Sequence, residues 1–456
     1  MSIDSPFKAY DVRGRIGENL TEDMVRRIGR AFAEVIQPGS VVVGHDSRET
    51  SPLFANALAE GLIAGGVDVQ ELGLCGTEEI YFATDHRKTG GGLMVTASHN
   101  PIEYNGIKMV LAGARPMSRD TGLDEIEDLS LNTDLADVAT PGTRQVINVR
   151  DAYVDKVLSF VDPKALGDLK LVVNAGNGSA GPTFDAIADA LAKRGAGVTF
   201  HRQHHNPDPA FPNGIPNPLL PENHAATSDA VLAAGADFGV AWDGDFDRCF
   251  FFDGQGSFID GAYVVGVLAA AFLAKYPGQV VVHDPRVVLN TQDLVNSAGG
   301  TAIAACTGHT FMKQAMRDHN GIYGGEMSAH HYFRDFMFCD SGMIPWLLVA
   351  ELVATSGKSL ADLVADRMAK FPVSGEINFR IADADKAMAD VLAAYEVDAV
   401  ARDNMDGISL LFETWRFNLR RSNTESLVRL NVESKGDAAL VAAKHADIAA
   451  ILTKAG

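Results

Sequence analysis

Cysteine is scarce in this sequence. The cysteines are Cys75, Cys249, Cys306 and Cys339, which lie far apart, and no two of them form a C-x-x-C pair. The spacing therefore argues against both a disulfide framework and a zinc site. Reduced thiols are the simple expectation.

Long hydrophobic runs are missing as well. A membrane helix needs about 18 consecutive apolar residues or more. The longest such run, residues 264–274, is shorter and predicts a buried helix. The first residues have neither a basic start nor an apolar core, so we expect no signal peptide. The expectation is a cytoplasmic protein that does not enter a membrane.

Positive charge is in short supply. Lysine and arginine together number 39 against 59 aspartate and glutamate residues, so the net charge is -20. A protein with this charge repels nucleic acid and anionic membranes at long range. We therefore expect no nucleic-acid partner, and an anionic substrate requires a local cluster of basic side chains.

The sequence does contain a pattern that recurs three times. Predicted strands at residues 40–44, 171–174 and 280–283 are each followed by a helix and a second strand. Each unit then continues to one further strand, at residues 92–95, 238–242 and 321–323. Strands that alternate with helices at this spacing predict parallel pairing, with helices covering both faces of each sheet.

The chain of 456 residues is too long for one hydrophobic core. From about residue 370 the segments become shorter, which indicates a smaller α+β domain. We predict three similar α/β domains with mixed sheets plus this C-terminal domain, around a central cleft. The predicted domains span residues 1–148, 149–253, 254–369 and 370–456. Ligands of open α/β sheets gather beyond the carboxyl ends of the strands, where the loops of the three units lie.

A serine lies where one of the predicted strands ends. Ser98 and His99 follow the apolar strand 92–95 and precede Asn100-Pro101, a dipeptide that favours a turn or an extended path. A rigid strand that leads into a surface loop can present a nucleophile to a substrate. An Asn-Pro turn with an incidental serine is the alternative for this pair taken alone.

Carboxylates alternate in the loop after the predicted strand 238–242, at Asp243, Asp245 and Asp247. On a tight turn between two buried runs they supply hard oxygen ligands for one divalent cation, and Mg²⁺ is the leading choice. An EF-hand loop is excluded, because Arg248 and Gly254 stand where it requires glycine and glutamate. A solvated acidic turn is the remaining alternative.

Glu326, Ser328 and His330 form a third polar loop. We expect this segment to be extended, so that its alternate residues point to the same side. A carboxylate, a hydroxyl and an imidazole placed in this way can bind the hydroxyl groups of a sugar. A polar surface loop without a ligand would look similar.

An anionic substrate requires a local basic cluster, and one follows the predicted strand 415–419. There an arginine precedes hydroxyl and amide side chains: Arg420, Ser422, Asn423 and Thr424. Together with exposed backbone N–H groups they predict a pocket for a phosphate dianion. Arg429 is close in sequence, but on a strand its side chain could simply be solvated.

These four loops, in this order, resemble the motifs of the α-D-phosphohexomutase superfamily, most closely its bacterial phosphomannomutase branch, which includes bifunctional phosphomannomutase/phosphoglucomutase enzymes. The resemblance covers essentially the whole chain. It implies four domains around a cleft, with the first three alike. It also implies an isomerase that interconverts mannose 1-phosphate and mannose 6-phosphate, with glucose phosphates as a second activity.

The resemblance implies a role for each loop. Ser98 is the expected phosphoserine, and together with Asp243, Asp245 and Asp247 it is expected to bind Mg²⁺. The sugar-recognition set is Glu326, Ser328 and His330, and the phosphate site is Arg420, Ser422, Asn423 and Thr424. The other residues that match the family's site are Arg13, Lys108, Arg248, Arg286 and His309.

In the implied reaction, the phosphoserine gives its phosphoryl group to a hexose phosphate. The resulting hexose 1,6-bisphosphate, which is also the activator, turns end for end and returns its other phosphate to Ser98. His99, His309 and Lys108 are candidates for the general base. A monomer or a homodimer is expected.

Alternative functions remain open from the sequence. They are a phosphoglucomutase, a phosphoglucosamine mutase, a serine- and Mg²⁺-dependent sugar phosphatase and a non-catalytic sugar-phosphate binder. Asn423 disfavours the phosphoglucosamine branch, because the phosphate motif of that branch resembles this one but has glycine at this position. The separate sugar and phosphate loops favour a mutase over a phosphatase.

Overall fold

The computed structural model describes residues 5–286, 288–421 and 427–454. The chain divides into two compact units. The first holds the residues up to Phe258 together with His330–Gly357, and the second holds Ile259–Ala329 and the residues from Lys358 onward. Of the helices in the described ranges, none combines the length and the apolar character that crossing a membrane requires.

The first unit combines short strands with helices of two to four turns. Its strands are Val12–Arg15, Ser40–His45, Asp68–Leu74, Gly91–Val95, Tyr104–Leu111, Arg115–Pro116, Arg144–Val146, Lys170–Asn174, Thr199–Gln203, Phe238–Trp242, Cys249–Asp253, His331–Phe333 and Cys339–Asp340. Its α-helices are Glu22–Ile36, Ser51–Ala64, Thr77–His86, Leu123–Asn132, Arg150–Leu158, Ala180–Lys193, Ala225–Ala234 and Met343–Ser356. The short strand Phe258–Ile259 lies at the boundary of the two units.

The second unit is built in the same way. Its strands are Val280–His283, Thr301–Ala304, Tyr323–Gly325, Ile377–Phe379, Ala401–Asp403, Ile408–Leu411, Trp415–Arg421 and Val428–Ser434. Its α-helices are Gly261–Lys275, Leu289–Ser297, His309–Asp318, Leu360–Lys370, Ala384–Tyr395 and Ala438–Lys454.

The first sheet is mixed. Ser40–His45 pairs in parallel with Asp68–Leu74 on one side and with Gly91–Val95 on the other, and Tyr104–Leu111 then pairs antiparallel with Gly91–Val95. The core beneath it is apolar because the central strands are runs of valine, leucine and methionine, and Val41, Val43 and Leu93 are fully buried. The predicted mixed α/β sheet is confirmed.

The same strand order recurs twice. Lys170–Asn174 lies between Thr199–Gln203 and Phe238–Trp242, again with parallel pairing, and an antiparallel strand follows. In the second unit, Val280–His283 lies between Thr301–Ala304 and Tyr323–Gly325 in parallel. The last of these strands begins two residues later than predicted. The threefold α/β repeat is confirmed.

The last part of the chain forms an antiparallel sheet with helices packed on one face. Its strand order is Ile377–Phe379, Val428–Ser434, Trp415–Arg421, Ile408–Leu411 and Ala401–Asp403. Alternation along these strands places Phe417, Leu430 and Val432 in one core with Ile448 of the closing helix. The predicted smaller α+β region is confirmed.

One buried carboxylate connects distant segments of the first unit. Glu78 accepts hydrogen bonds from the hydroxyl groups of Tyr153 and Ser341, and from the backbone N–H groups of Gly342 and Met343. The last two begin the helix Met343–Ser356, whose N-terminus favours a nearby acid. Burial raises the pKa of Glu78 to about 8, although the four hydrogen bonds oppose this.

This raised pKa makes the stability of the fold depend on pH. A carboxyl group whose pKa is higher in the folded protein stabilises the fold fully below its unfolded value of 4.5, and that contribution is lost as the pH rises to about 8. Glu78→Gln removes the titration but keeps an oxygen for the two N–H groups. We expect the wild type to lose stability relative to Glu78→Gln across this window, by at most about 1.4 kcal/mol per pH unit.

Thermal unfolding followed by circular dichroism between pH about 5 and about 9 measures this difference. Glu78→Leu is the control, because it removes the acceptor of the Tyr153 and Ser341 hydroxyls and of the Gly342 N–H, and it should unfold at lower temperature at every pH. Parallel pH profiles for the wild type and Glu78→Gln would contradict the assignment.

Candidate active site

The loop that contains Ser98, the predicted nucleophile, begins where the strand Gly91–Val95 ends. Ser98 is 2% exposed, and its backbone has a φ of 47°, in the left-handed region. Its N–H donates to the Thr96 hydroxyl at 2.8 Å. Its Oγ donates to Asp243 Oδ2 at 2.7 Å and lies 2.9 Å from Nδ1 of His99. The hydroxyl that the sequence singles out therefore contacts the first of the three aspartates.

The three aspartates converge as predicted. Asp243, Asp245 and Asp247 are each at most 1% exposed, and their ligand atoms lie within 4.8 Å of one another. Among the described residues, no hydrogen-bond donor reaches Oδ1 of Asp243 or of Asp245. Buried carboxylate oxygens without donors are costly unless a cation neutralises them. The cluster therefore fits a divalent metal ion, and a solvated acidic turn is wrong for this segment.

Lys108 contacts two of the same carboxylates. From the strand Tyr104–Leu111 its Nζ donates to Asp245 Oδ2 at 2.7 Å and to Asp247 Oδ2 at 2.5 Å. Burial lowers the pKa of Lys108, but the charges of the aspartates outweigh burial and hold it above its ordinary value. Lys108 thus acts here as a charged donor.

Thr77 contacts residues 243–247, the predicted metal loop. The sequence analysis did not identify Thr77. Its hydroxyl donates to Asp245 Oδ2 at 2.6 Å, and its N–H donates to the Asp245 carbonyl at 3.1 Å. Thr77 begins the helix Thr77–His86, whose third residue is Glu79. Nothing in the local sequence distinguishes it from any other threonine at a helix start.

His330 joins this cluster. Its Nε2 lies 3.4 Å from Asp247 Oδ1 and 3.8 Å from Oδ2 of Asp340, a fully buried carboxylate that the sequence analysis missed. Asp247, His330 and Asp340 form a second group whose ligand atoms lie within 4.8 Å of one another. Within the first unit, His330 therefore lies beside the metal loop.

His99 contacts Ser98 directly, and two arginines contact residues next to it. Arg13 donates to Oδ1 of Asn100 at 2.5 Å and pairs with Asp11 at 2.9 Å. Arg248 lies 3.5 Å from Asp243 Oδ2. Burial, followed by the charges of Arg248 and Arg13, lowers the pKa of His99 well below its ordinary value. His99 is therefore a neutral imidazole beside the serine hydroxyl.

In the second unit, Arg286 connects the predicted sugar-binding residues. Its guanidinium donates to Asp284 Oδ2 at 2.5 Å and to the Ser328 hydroxyl at 3.1 Å, and it lies 3.7 Å from Glu326 Oε1. The same Glu326 oxygen accepts from the N–H of Gly308, immediately before His309. Four of the predicted residues, Arg286, Glu326, Ser328 and His309, are thus brought into one neighbourhood.

The expectation that Glu326 to His330 form an extended segment is wrong. The chain turns here, because the N–H of Ala329 donates to the Glu326 carbonyl at 3.0 Å and Ala329 has a φ of 71°. Alternation therefore does not align these side chains. Glu326 and Ser328 lie close together because both contact Arg286.

Three arginines share one carboxylate in the C-terminal sheet. Glu376 pairs with Arg420 at 3.1 Å, with Arg429 at 3.3 Å and with Arg286 at 3.4 Å. Burial raises the pKa of Glu376, but these charges outweigh burial and lower it to about 2. The alternative of a merely solvated Arg429 is therefore wrong. The other predicted phosphate-site residues, Ser422, Asn423 and Thr424, lie outside the described residues.

Metal binding by the aspartate cluster is directly testable. A ligand that binds only the folded protein stabilises it by about 2.7 kcal/mol at one hundred times its dissociation constant. Adding Mg²⁺ to metal-free protein should raise the melting temperature of the wild type and raise it much less in Asp245→Asn. Asp151→Asn, an exposed acid in the same unit, is the matched control. Equal shifts in all three proteins would contradict this site.

Fold and site together define a class of protein, a multidomain α/β enzyme with a repeated sheet and a serine beside an acidic cluster. Four phosphoglucomutase/phosphomannomutase domain models match most of the chain. They are alpha/beta/alpha domain I at residues 4–137, domain II at 151–256, domain III at 260–371 and the C-terminal domain at 376–451. The chain belongs to the phosphoglucomutase/phosphomannomutase family and is an isomerase of the phosphohexomutase class.

Individual relatives agree with this. A phosphomannomutase of Salmonella montevideo is 56% identical over 448 residues, 98% of each chain. A Xanthomonas campestris protein with the name "Phosphohexose mutases" is 56% identical over 447 residues, which are 98% of each of the two chains. The crystal structure of a phosphoglucomutase/phosphomannomutase family protein from Burkholderia thailandensis matches with a TM-score of 0.87 and 30% identity, covering 99% of this chain and 97% of that one.

Proposed function

We propose that this protein is a phosphomannomutase that interconverts mannose 1-phosphate and mannose 6-phosphate through phosphoserine 98. One observation carries the proposal. The buried Ser98 hydroxyl donates a hydrogen bond to Asp243, one of three clustered carboxylates, and Lys108 pairs with the other two. The names of the 56% identical relatives support the choice of sugar. We propose glucose phosphates as a second substrate class, which the broader of the two names leaves open.

The residues of the first unit would carry the phosphoryl group. Asp243, Asp245 and Asp247 would hold Mg²⁺, which supplies positive charge that stabilises a transferring phosphoryl group. Lys108 and Arg13 add fixed cationic donors around the same serine. Buried donors of this kind stabilise developing charge more strongly than water does, because they are already oriented.

His99 is the best-placed of the three candidate bases. Its Nδ1 lies 2.9 Å from the Ser98 hydroxyl, within hydrogen-bond reach, and burial keeps the ring neutral and able to accept a proton. Lys108 is less suited, because the aspartates hold its proton. We assign His99 to proton exchange with the serine oxygen, and leave His309 near Glu326 as a sugar-binding residue.

The residues of the second unit would recognise the sugar phosphate. Glu326 and Ser328 offer an acceptor and a hydroxyl held by Arg286, which suits vicinal sugar hydroxyls. Arg420 and Arg429 share one carboxylate, so the cluster retains positive charge for a phosphate, completed by Ser422, Asn423 and Thr424. Because either phosphate of the hexose 1,6-bisphosphate must be accepted, one general anion site serves both half-reactions.

A phosphorus NMR time course tests the proposal. The protein with Mg²⁺, a trace of glucose 1,6-bisphosphate and mannose 1-phosphate should form mannose 6-phosphate without free phosphate. Ser98→Ala should lose this activity by at least about a thousandfold, because the nucleophile is gone. Accumulating inorganic phosphate would identify a phosphatase instead. No turnover of either mannose or glucose phosphates would contradict the proposed function.

The sugar-recognition role makes a separate prediction. Glu326→Gln keeps the shape of the side chain but removes its charge beside Arg286, so kcat/KM for mannose 1-phosphate should fall by roughly ten- to a hundredfold. Glu413→Gln, an exposed site in the same unit, is the matched control. Steady-state kinetics with mannose and glucose 1-phosphates measures the effect. A variant with unchanged kcat/KM for both sugars would remove Glu326 from the substrate site.

A further inference from the structure

A single buried arginine holds the nucleophile loop. The Arg48 side chain is 2% exposed, and its guanidinium donates to four backbone carbonyls of the loop that follows Ser98. Nη2 donates to the carbonyls of Ser98 at 2.9 Å and Asn100 at 2.5 Å, and Nη1 donates to those of Pro101 at 3.0 Å and Tyr104 at 3.1 Å. We propose that Arg48 is the positioning residue of Ser98, an inference that rests on the proposed mutase reaction.

The loop needs such a residue because its backbone is strained. Ser98 has a φ of 47°, a conformation that a residue with a side chain adopts only when its surroundings impose it. The Ser98 N–H to Thr96 bond restrains one side of the residue, and Arg48 restrains its carbonyl on the other. Without the guanidinium, the four carbonyls lose the donor that they share, and the loop can relax.

Arg48 is itself fixed by Asp46. Oδ1 of Asp46 accepts from the N–H of Arg48 at 2.9 Å and from the Ser51 hydroxyl at 2.6 Å. Oδ2 accepts from the N–H of Ala97 at 3.3 Å, next to the nucleophile. The guanidinium also lies 5.7 Å from the centre of the Phe211 ring. One carboxylate therefore positions both the arginine and the start of the loop.

The orientation that results is the one the reaction needs. The Ser98 carbonyl is held by Arg48 on one side and faces Gly244 of the metal loop on the other, where a Cβ would lie only 2.6 Å from the carbonyl oxygen. With the carbonyl fixed in this way, the hydroxyl points to Asp243. Arg48 contacts no atom of the side chain that reacts, so it acts through the backbone.

Lysine cannot replace this arginine. A guanidinium presents its donors in a rigid planar fork, whereas an ammonium is a point donor on a flexible stem. Arg48→Lys keeps the positive charge but cannot serve four carbonyls in one plane. We expect kcat for mannose 1-phosphate to fall by roughly a hundredfold while KM changes by less than about threefold, because the sugar-binding residues are untouched.

The experiment measures kcat, KM and the extent of Ser98 phosphorylation by glucose 1,6-bisphosphate, the last by mass spectrometry of the intact protein. Arg48→Lys should also be phosphorylated more slowly than the wild type, by a factor similar to the loss in kcat. Leu58→Ala is the control for lost stability, since Leu58 is buried in the helix Ser51–Ala64 away from the loop. It should lower the melting temperature and leave kcat within about twofold.

Asp46→Asn provides a second test if Arg48→Lys does not fold. It retains Arg48 but replaces the oxygen that accepts from Ala97, so kcat should fall roughly three- to tenfold with KM unchanged. A kcat equal to that of the wild type in either folded variant, or a loss confined to KM, overturns the proposal. If the wild type itself has no mutase activity, the proposed function fails. The rate of Ser98 phosphorylation in the variants still decides whether Arg48 positions the loop.

Discussion

The contact between the Ser98 hydroxyl and the Asp243 carboxylate is the interaction on which the rest of the site depends. It joins a loop of the first sheet to a loop of the second, and it places a nucleophilic oxygen beside three buried acids. Like charges this close are unfavourable unless cations neutralise them. Lys108 supplies one positive charge. The aspartate oxygens that have no hydrogen-bond donor among the described residues fit a divalent ion. A metal ion bound by this cluster would therefore lie beside the serine.

Repetition of one strand order explains how separate loops acquire separate roles. In each repeat, the functional loop follows the third parallel strand: Gly91–Val95 leads to Ser98, Phe238–Trp242 to Asp243, and Tyr323–Gly325 to Glu326. The same place in the fold therefore carries the proposed nucleophile, the proposed metal site and the proposed sugar-binding loop. The four domains are present, whereas the boundaries that the sequence predicts between them stay predictions.

Much of this could be predicted from sequence for a physical reason. Buried strands are apolar runs, so their positions and the chemistry of the residues that follow them are visible in the chain. The turn at Ala329 was missed because alanine carries no signal for a left-handed backbone. Arg48, Thr77 and Glu78 were missed because each contacts atoms 50 or more positions away, and only tertiary packing shows that their partners are near.

Transfer of a labelled phosphoryl group tests the central claim most directly. The protein is loaded from hexose 1,6-bisphosphate carrying radioactive phosphate, its peptides are analysed, and mannose 1-phosphate is then added with Mg²⁺. The account predicts that the label resides on Ser98 and moves to the hexose within one turnover. Label on any other residue, or label released as inorganic phosphate, would contradict it.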